Sequence, residues 1–274
     1  MKKMKLKILF VTQEITPYLP ETYLSKLSRF LTQGIQEKKK EIRTFSPKYG
    51  CINERKYQLH EVIRLSGMNL IMDDVDFSLS IKVASVQASR IQFYFIDNDK
   101  LFSRKAQFTQ DDKEFEDNYL RASFFTLGVL ETIKKLNWKP DIIHCHGWLS
   151  ALFPFYLKKV MHNEPLFADC PKVIYSVYND QFKSPLNNIL KEKLSKQTNI
   201  DSPELEYLNE ISWQNLTKFA IANSDAIILA ENNLDETIKK IVTENKKPFL
   251  DNIDEDDYVN VYNNFYDSIY ENTY

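Results

Sequence analysis

The sequence predicts a doubly wound α/β domain: a mainly parallel sheet covered by helices, with a small β insertion at one edge. Three observations lead there. Short, continuously apolar runs recur along the chain, as in strands buried on both faces. Between them lie amphipathic stretches of helical spacing, the alternation that builds βαβ units. Only residues 56–95 depart from this, with short β-type runs and polar breaks.

The elements follow in chain order. Residues 5–12 alternate lysine with apolar residues and then become continuously apolar at Ile8, Leu9, Phe10 and Val11, a central strand. Leu24, Leu27, Phe30, Leu31 and Ile35 recur at helical spacing, and Lys38, Lys39 and Lys40 suit the C-terminus of that helix. Residues 41–45 make a second strand, closing a right-handed βαβ unit. Residues 62–65, 81–83 and 91–95 are the strands expected in the insertion, and 98–112 a polar loop. A helix is expected over 114–136, with Leu120, Phe124, Leu127, Leu130 and Ile133 on one stripe, stopped before Pro140. Residues 141–146 form a strand with an abrupt polar end, and 148–161 return as a helix. Another strand spans 172–177, a helix 205–222, a last strand 225–230 and its helix 233–244. Residues 251–257 are an acidic linker, and Tyr258, Val261, Tyr262, Phe265 and Ile269 mark one face of a final helix. The expected division is a domain over 1–250, followed by linker and amphipathic helix over 251–274.

Composition excludes several function classes. The chain of 274 residues holds only 5 glycines, against about 19 at the usual share. Phosphate-cradling loops need glycine so that backbone can approach the phosphate and turn with positive φ. No Walker A loop or G-x-G-x-x-G fingerprint is present. A P-loop NTPase, a protein kinase or an NAD-dependent dehydrogenase is therefore not expected. The formal net charge of −2 gives no reason to expect nucleic acid or an anionic membrane as partner. The longest apolar run, 151–157, is far short of a membrane span. The N-terminal apolar stretch, 8–11, is too short for a signal peptide. Three scattered cysteines fit a reducing cytoplasm better than a disulfide framework.

In a sheet of this kind ligands bind at the C-terminal ends of the strands. That directs attention to residues 13–22, 144–150, 178–183 and 230–233. These loops carry a resemblance. Trp138-Lys139-Pro140-Asp141-Ile142-Ile143-His144-Cys145-His146-Gly147-Trp148 resembles the W-K-P-D-I-V-H-C-H-D-W-H-T segment of bacterial glycogen synthases and plant starch synthases. Glu14 with Pro17 is similar to the family's E-x-x-P turn, and Pro47-Lys48-Tyr49 to its P-R-Y segment. Asp97-Asn98 with Leu101-Phe102, Asp117-Asn118 through Phe124-Phe125, Asn179, and 215–226 match further motifs in the same order. The resemblance spans about residues 5–245. It implies the N-terminal, Rossmann-like half of a GT-B glycosyltransferase, whose activity is glucosyl transfer from ADP-glucose to an α-1,4-glucan.

The departures from the family pattern matter as much. Where the family has K-T-G-G-L, with lysine and glycine backbone near the ADP phosphates, this chain has Pro20-Glu21-Thr22-Tyr23-Leu24. The cation and both glycines are gone, and a carboxylate is added. The family's D-W-H-T becomes Gly147-Trp148-Leu149-Ser150, and the histidine of its T-I-H-N becomes Tyr178. Only the first half of the family's length is matched, so the resemblance implies that the C-terminal donor domain is lacking. The final helix, 258–270, is equally the GT-B crossing helix or an ordinary amphipathic end.

Candidate sugar contacts are Glu14, His146, Trp148, Tyr178 and Asn179; no catalytic residue is assigned. The bland alternatives are a core anchor for Trp148 and a capping role for Glu14. His144 and His146 share one face of their strand and Cys145 the other. A zinc site needs three or four converging ligands, and no second cluster is visible, so neither metal nor cofactor is expected. Two function classes remain. One is a synthase-like glycosyltransferase domain, degenerate and inactive unless a partner chain supplies the donor half. The other is a non-catalytic protein that binds or regulates α-glucan or maltooligosaccharide. ADP-glucose is a doubtful ligand on either.

Overall fold

The computed structural model describes residues 5–72, 75–86, 91–198, 202–251, 253 and 256–271. Strand β1 (Lys7–Thr12) is buried along nearly its whole length. Helix α1 (Tyr23–Glu37) starts at a capping box: the Thr22 hydroxyl accepts from Ser25 N–H, and the Ser25 hydroxyl accepts from Thr22 N–H. Strand β2 (Glu41–Pro47) pairs parallel to β1. A short helix α2 (Glu54–Tyr57) leads into the insertion, made of β3 (His60–Glu61), β4 (Met68–Met72) and β5 (Val75–Val86). β6 (Ile91–Asp97) pairs antiparallel with β5 and parallel with β2, joining the insertion to the main sheet.

Next come a small hairpin, β7 (Thr109–Gln110) with β8 (Lys113–Glu114), and helix α3 (Asn118–Leu136). Strand β9 (Ile142–His146) pairs parallel with β1 on the side opposite β2. A single turn α4 (Phe153–Phe155), β10 (Lys172–Val177), α5 (Ile189–Thr198) and α6 (Trp213–Asn223) follow. The chain ends on β11 (Ala226–Leu229), α7 (Glu236–Glu244), β12 (Phe249–Leu250) and α8 (Tyr258–Glu271).

The sheet runs β12-β11-β10-β9-β1-β2-β6-β5-β3, with β4 paired to β5. Two apolar cores cover its faces. One holds Phe124, Leu130, Leu149, Phe219 and Ile238, from α3, α6, α7 and the segment after β9. The other packs Leu31 and Ile35 of α1 and Tyr262, Tyr266 and Ile269 of α8 against Ile8, Phe10 and Ile174. The final helix is thus built into the core of the first 250 residues. It approaches α1 closely: a Cβ on Gly34 would lie 2.6 Å from Val259 methyl carbons. The Lys40 ammonium, 2.7 Å from both Asn263 and Asp267, ties the two ends of the chain together.

Several sequence expectations need correction. The run 62–65 is a turn: Val62 N–H donates to Ile81, then Leu65 and Ser66 N–H fold back onto Val62 O. Leu65 is buried and Ile63 is 86% exposed, so two alternating apolar residues imitated a strand. The insertion's pairing is made instead by β4 and the twelve-residue β5. The third helix begins at Asn118, because Glu114 sits in a hairpin and its carboxylate accepts from Lys183 and Ser184 N–H. The polar loop 98–112 contains part of that hairpin. Helix 205–222 is two pieces: 3₁₀ turns over Pro203–Leu208, then α6 capped by Ser212. Residues 148–161 are not one regular helix but 3₁₀, α and wide π-type turns in succession. β12 has no sequence signature, since two residues carry no period. Of the acidic linker 251–257, residues 252, 254 and 255 lie outside the described ones, as do 272–274.

Candidate functional site

From β1 the chain moves to β2 on one side, whereas β9, β10 and β11 extend the sheet on the other. The C-terminal ends of β1 and β9 therefore flank the topological switch point, where crevices open in such sheets. Gln13 and Glu14 leave β1 there, Gly147 and Trp148 leave β9, and Tyr178, Asn179 and Asp180 leave β10.

Glu14 lies at this junction with 9% of its surface exposed. Its carboxylate accepts from the Thr22 hydroxyl at 2.8 Å. Burial raises its pKa above the usual carboxylate value, against the hydrogen bonds from Thr22 and Gln13. Gln13 bridges elements: its carbonyl oxygen accepts from the Tyr49 hydroxyl at 3.0 Å, and its side chain accepts from Leu149 N–H at 3.1 Å.

Gly147 has φ +80° and ψ 168°, a region glycine alone occupies without strain. Asp180 reaches this turn from β10. Its Oδ2 accepts from Trp148 N–H at 2.8 Å and its Oδ1 from the Trp213 indole N–H at 2.9 Å. Burial pushes its carboxyl up to about 7, opposed by those two bonds and reinforced by Glu14.

Three of the expected sugar contacts are closed off. His146, Trp148 and Tyr178 are all almost wholly buried, leaving no ring face for a sugar. Trp148 packs against Phe108 and Phe182, with ring centroids 4.7 and 5.2 Å away, so the core-anchor role is the one observed. His146 Nδ1 shares a hydrogen bond with the Tyr178 hydroxyl at 2.7 Å. His144 bonds Tyr266 of α8 and Ser176 of β10, both at 2.7 Å. Strand alternation does place both imidazoles on one face, with centroids 3.8 Å apart, while Cys145 enters the opposite core. Burial lowers both histidines, His146 to about 3, so each is neutral near pH 7. Among the described residues no three His, Cys, Asp or Glu side chains converge as metal ligands.

Asn179 is exposed and bonds Glu231 through its backbone N–H at 3.0 Å. Glu231 also lines a cavity of about 180 Å³ with Tyr23, Asn232 and Asn233. This polar rim with one half-exposed aromatic ring is the open part of the junction. In the loop 20–23, Glu21 pairs with Lys26 at 2.8 Å, and Thr22 caps α1. The helix N-terminus that could face a phosphate is thereby met by the chain's own hydroxyl.

Asp180, Gln13 and Glu231 were not singled out from sequence. Asp180 follows Asn179 inside a loop marked for inspection. Its partners lie 32 and 33 residues away, a pairing no local pattern encodes.

Comparison with known proteins completes the site. Residues 7–248 match the starch synthase catalytic domain family. A glycogen synthase of Chlorobium limicola is 38% identical over 181 residues, 65% of this chain and 37% of the relative. One of Pelodictyon phaeoclathratiforme is 34% identical over 215 residues, 76% of this chain and 44% of the relative. The chain thus spans about two fifths of the length of the curated relatives it matches. The catalytic domain of starch synthase IV from Arabidopsis thaliana, bound to ADP and acarbose, superposes with a TM-score of 0.68 at 19% identity. It covers 82% of this chain and 45% of that one, placing the fold in the N-terminal half of a GT-B glycosyltransferase.

Proposed function

Because the chain belongs to the starch synthase catalytic domain family, we propose that these residues form a glucan-handling, synthase-like domain that transfers no glucose by itself. The ligand is an α-1,4-glucan or maltooligosaccharide held at the strand-end rim by Tyr23, Asn179 and Glu231. Asn and Glu side chains suit sugar hydroxyls, and Tyr23 offers an aromatic ring at 40% exposure. The single observation that carries the inactive reading is the closed N-terminus of α1. Thr22 occupies it, Pro20 replaces the expected cation, and Glu21 adds a negative charge beside the place a diphosphate would need. Electrostatic groups at a developing charge each contribute roughly 3–4 kcal/mol, so losing several would remove transfer. The second reading is a non-catalytic glucan-binding or regulatory role, in a cytoplasmic setting; the same capped helix favours it.

Calorimetry with maltoheptaose and ADP-glucose side by side tests this, with ADP and acarbose as further probes. Expected are binding of maltoheptaose, no binding of ADP-glucose, and no elongation of glycogen. A micromolar dissociation constant for ADP-glucose, or measurable incorporation into glycogen, would overturn the inactive reading.

A further inference from the structure

Gly147 is the point where two side chains from other strands converge. A Cβ on it would lie 2.5 Å from Gln13 Oε1 and 2.8 Å from Asp180 Oδ2. The volume in which a side chain at 147 would begin is therefore shared by the Gln13 amide, whose Cδ would lie closer still, and the Asp180 carboxylate from β10. The family motif has aspartate followed by tryptophan at this place, whereas this chain has Gly147-Trp148. A carboxylate nevertheless stands beside this turn, on Asp180 at the neighbouring strand end.

We propose that Asp180 is the acid of this site, relocated from position 147 to the end of β10, where it fixes the turn after β9 and, through the adjacent Asn179, positions the strand-end rim for the glucan ligand. The ligand in this statement rests on the glucan-binding reading; the relocation does not.

Geometry supports it in three ways. The Trp148 and Leu149 amides of the turn after β9 are met from flanking strand ends, Trp148 N–H by Asp180 and Leu149 N–H by Gln13. From β10 the carboxylate also holds the Trp213 indole at the start of α6, coupling the ends of β9 and β10 with the helix behind them. Finally, the missing Cβ at Gly147 is what lets Gln13 and Asp180 come this close, and its φ of +80° also suits glycine, so glycine and distant acid form a matched pair.

The titratable groups facing Asp180 are Glu14 from the turn after β1, and Tyr175 on β10, whose own hydroxyl it helps to keep protonated. Glu14 and burial favour the neutral acid; the Trp148 and Trp213 donors favour the carboxylate. Deprotonation near neutrality strengthens both tryptophan hydrogen bonds.

The test uses Gly147→Asp, Asp180→Ala, their combination, Asp180→Asn and Trp213→Phe in the whole chain. In the ligand-free protein, Gly147→Asp and Asp180→Ala each lower Tm. The double variant loses less than both together, since removing the Asp180 carboxylate relieves its share of the crowding and its repulsion with the new carboxylate at 147, while the contact with Gln13 and the positive φ remain. Losses that simply add would overturn the relocation. Tryptophan emission of the folded protein titrates with a midpoint near pH 7, disappears in Asp180→Asn, and moves to higher pH in Trp213→Phe. An unchanged midpoint in Asp180→Asn would overturn it as well. For the ligand part, Asp180→Asn weakens maltoheptaose binding at least tenfold; equal affinity would show that Asp180 does not position the sugar site. If the unmodified chain binds no maltoheptaose while the Tm cycle is non-additive, the glucan reading falls and the relocated acid stands.

Discussion

The Tyr266 hydroxyl lies 2.7 Å from His144 Nδ1, joining residues 122 positions apart. His144 Nε2 continues to the Ser176 hydroxyl, so one hydrogen-bonded line runs from α8 through β9 to β10. All three residues are fully buried. Tyr266→Phe keeps the ring packed against Phe10 but leaves a buried imidazole nitrogen without its partner. Such an orphan costs about 1–3 kcal/mol. Urea unfolding at pH 7.5 checks this; a variant as stable as the parent would show that α8 is held by packing alone.

Gly34 sets how closely α8 can lie on α1. Gly34→Ala pushes its new methyl into Val259, an overpacking that costs about 1–3 kcal/mol, partly offset because alanine favours helix by about 1 kcal/mol. Val259→Ala removes the obstructing carbons. The double variant Gly34→Ala with Val259→Ala is therefore expected to be more stable than Gly34→Ala alone, as read by Tm. A further loss in the double variant would place the crowding elsewhere.

The buried histidines set an acid limit. Their folded pKa values lie below the ordinary 6.5, His146 at about 3. The unfolded chain thus binds protons first. The stability they confer is complete above pH 6.5 and is lost as pH falls from there toward their folded values. Each contributes a slope of about 1.4 kcal/mol per pH unit within that window. Asp180 and Glu14 act oppositely: raised carboxyl values give stability that is present at low pH and lost as pH rises through the folded pKa. Comparing unfolding free energies at about pH 7 and pH 5.5 for the parent and His146→Gln isolates one histidine. The variant's slope should be shallower by roughly 0.6 proton over that interval, and equal slopes would mean that His146 is not buried neutral.

How much of this was readable in the residues varies with the range of the interaction. Residues 8–11 and 142–143 declare buried parallel strands because every side chain must be apolar when both sheet faces are covered. Thr22 as a cap could have been read from its hydroxyl just before the first apolar helical residue. The final helix showed its apolar face, but not what Tyr262 and Tyr266 would meet, since His144 lies more than a hundred residues earlier. The same distance hides Tyr266 and Ser176 around His144 and Tyr178 against His146, so a strand end that reads as open from the residues is closed by distant partners. Trp148 misled differently: an aromatic ring at a strand end fits stacking and core packing equally, and only Phe108 and Phe182 decide it.

Loop 20–23 offers the most direct test of the proposed loss of nucleotide binding. Its four residues differ from the family's K-T-G-G in charge, backbone freedom and capping. Glu21 carries a charge beside the loop, paired with Lys26. Thr22 fills the helix N-terminus and also holds the Glu14 carboxylate. Replacing Pro20, Glu21, Thr22 and Tyr23 by Lys, Thr, Gly and Gly adds one positive charge and removes one negative charge. It also frees the first amides of α1 for an anion. Substituting glycine for a threonine cap costs only a few tenths of a kcal/mol, so the fold should survive. One charged hydrogen bond contributes about 1.5–3 kcal/mol, which predicts at least a tenfold gain in ADP affinity over the parent. The gain should shrink as salt is raised, because exposed charges are screened. Calorimetry at two ionic strengths reads both effects. A four-residue variant that binds ADP no better than the parent would place the barrier to nucleotide outside this loop.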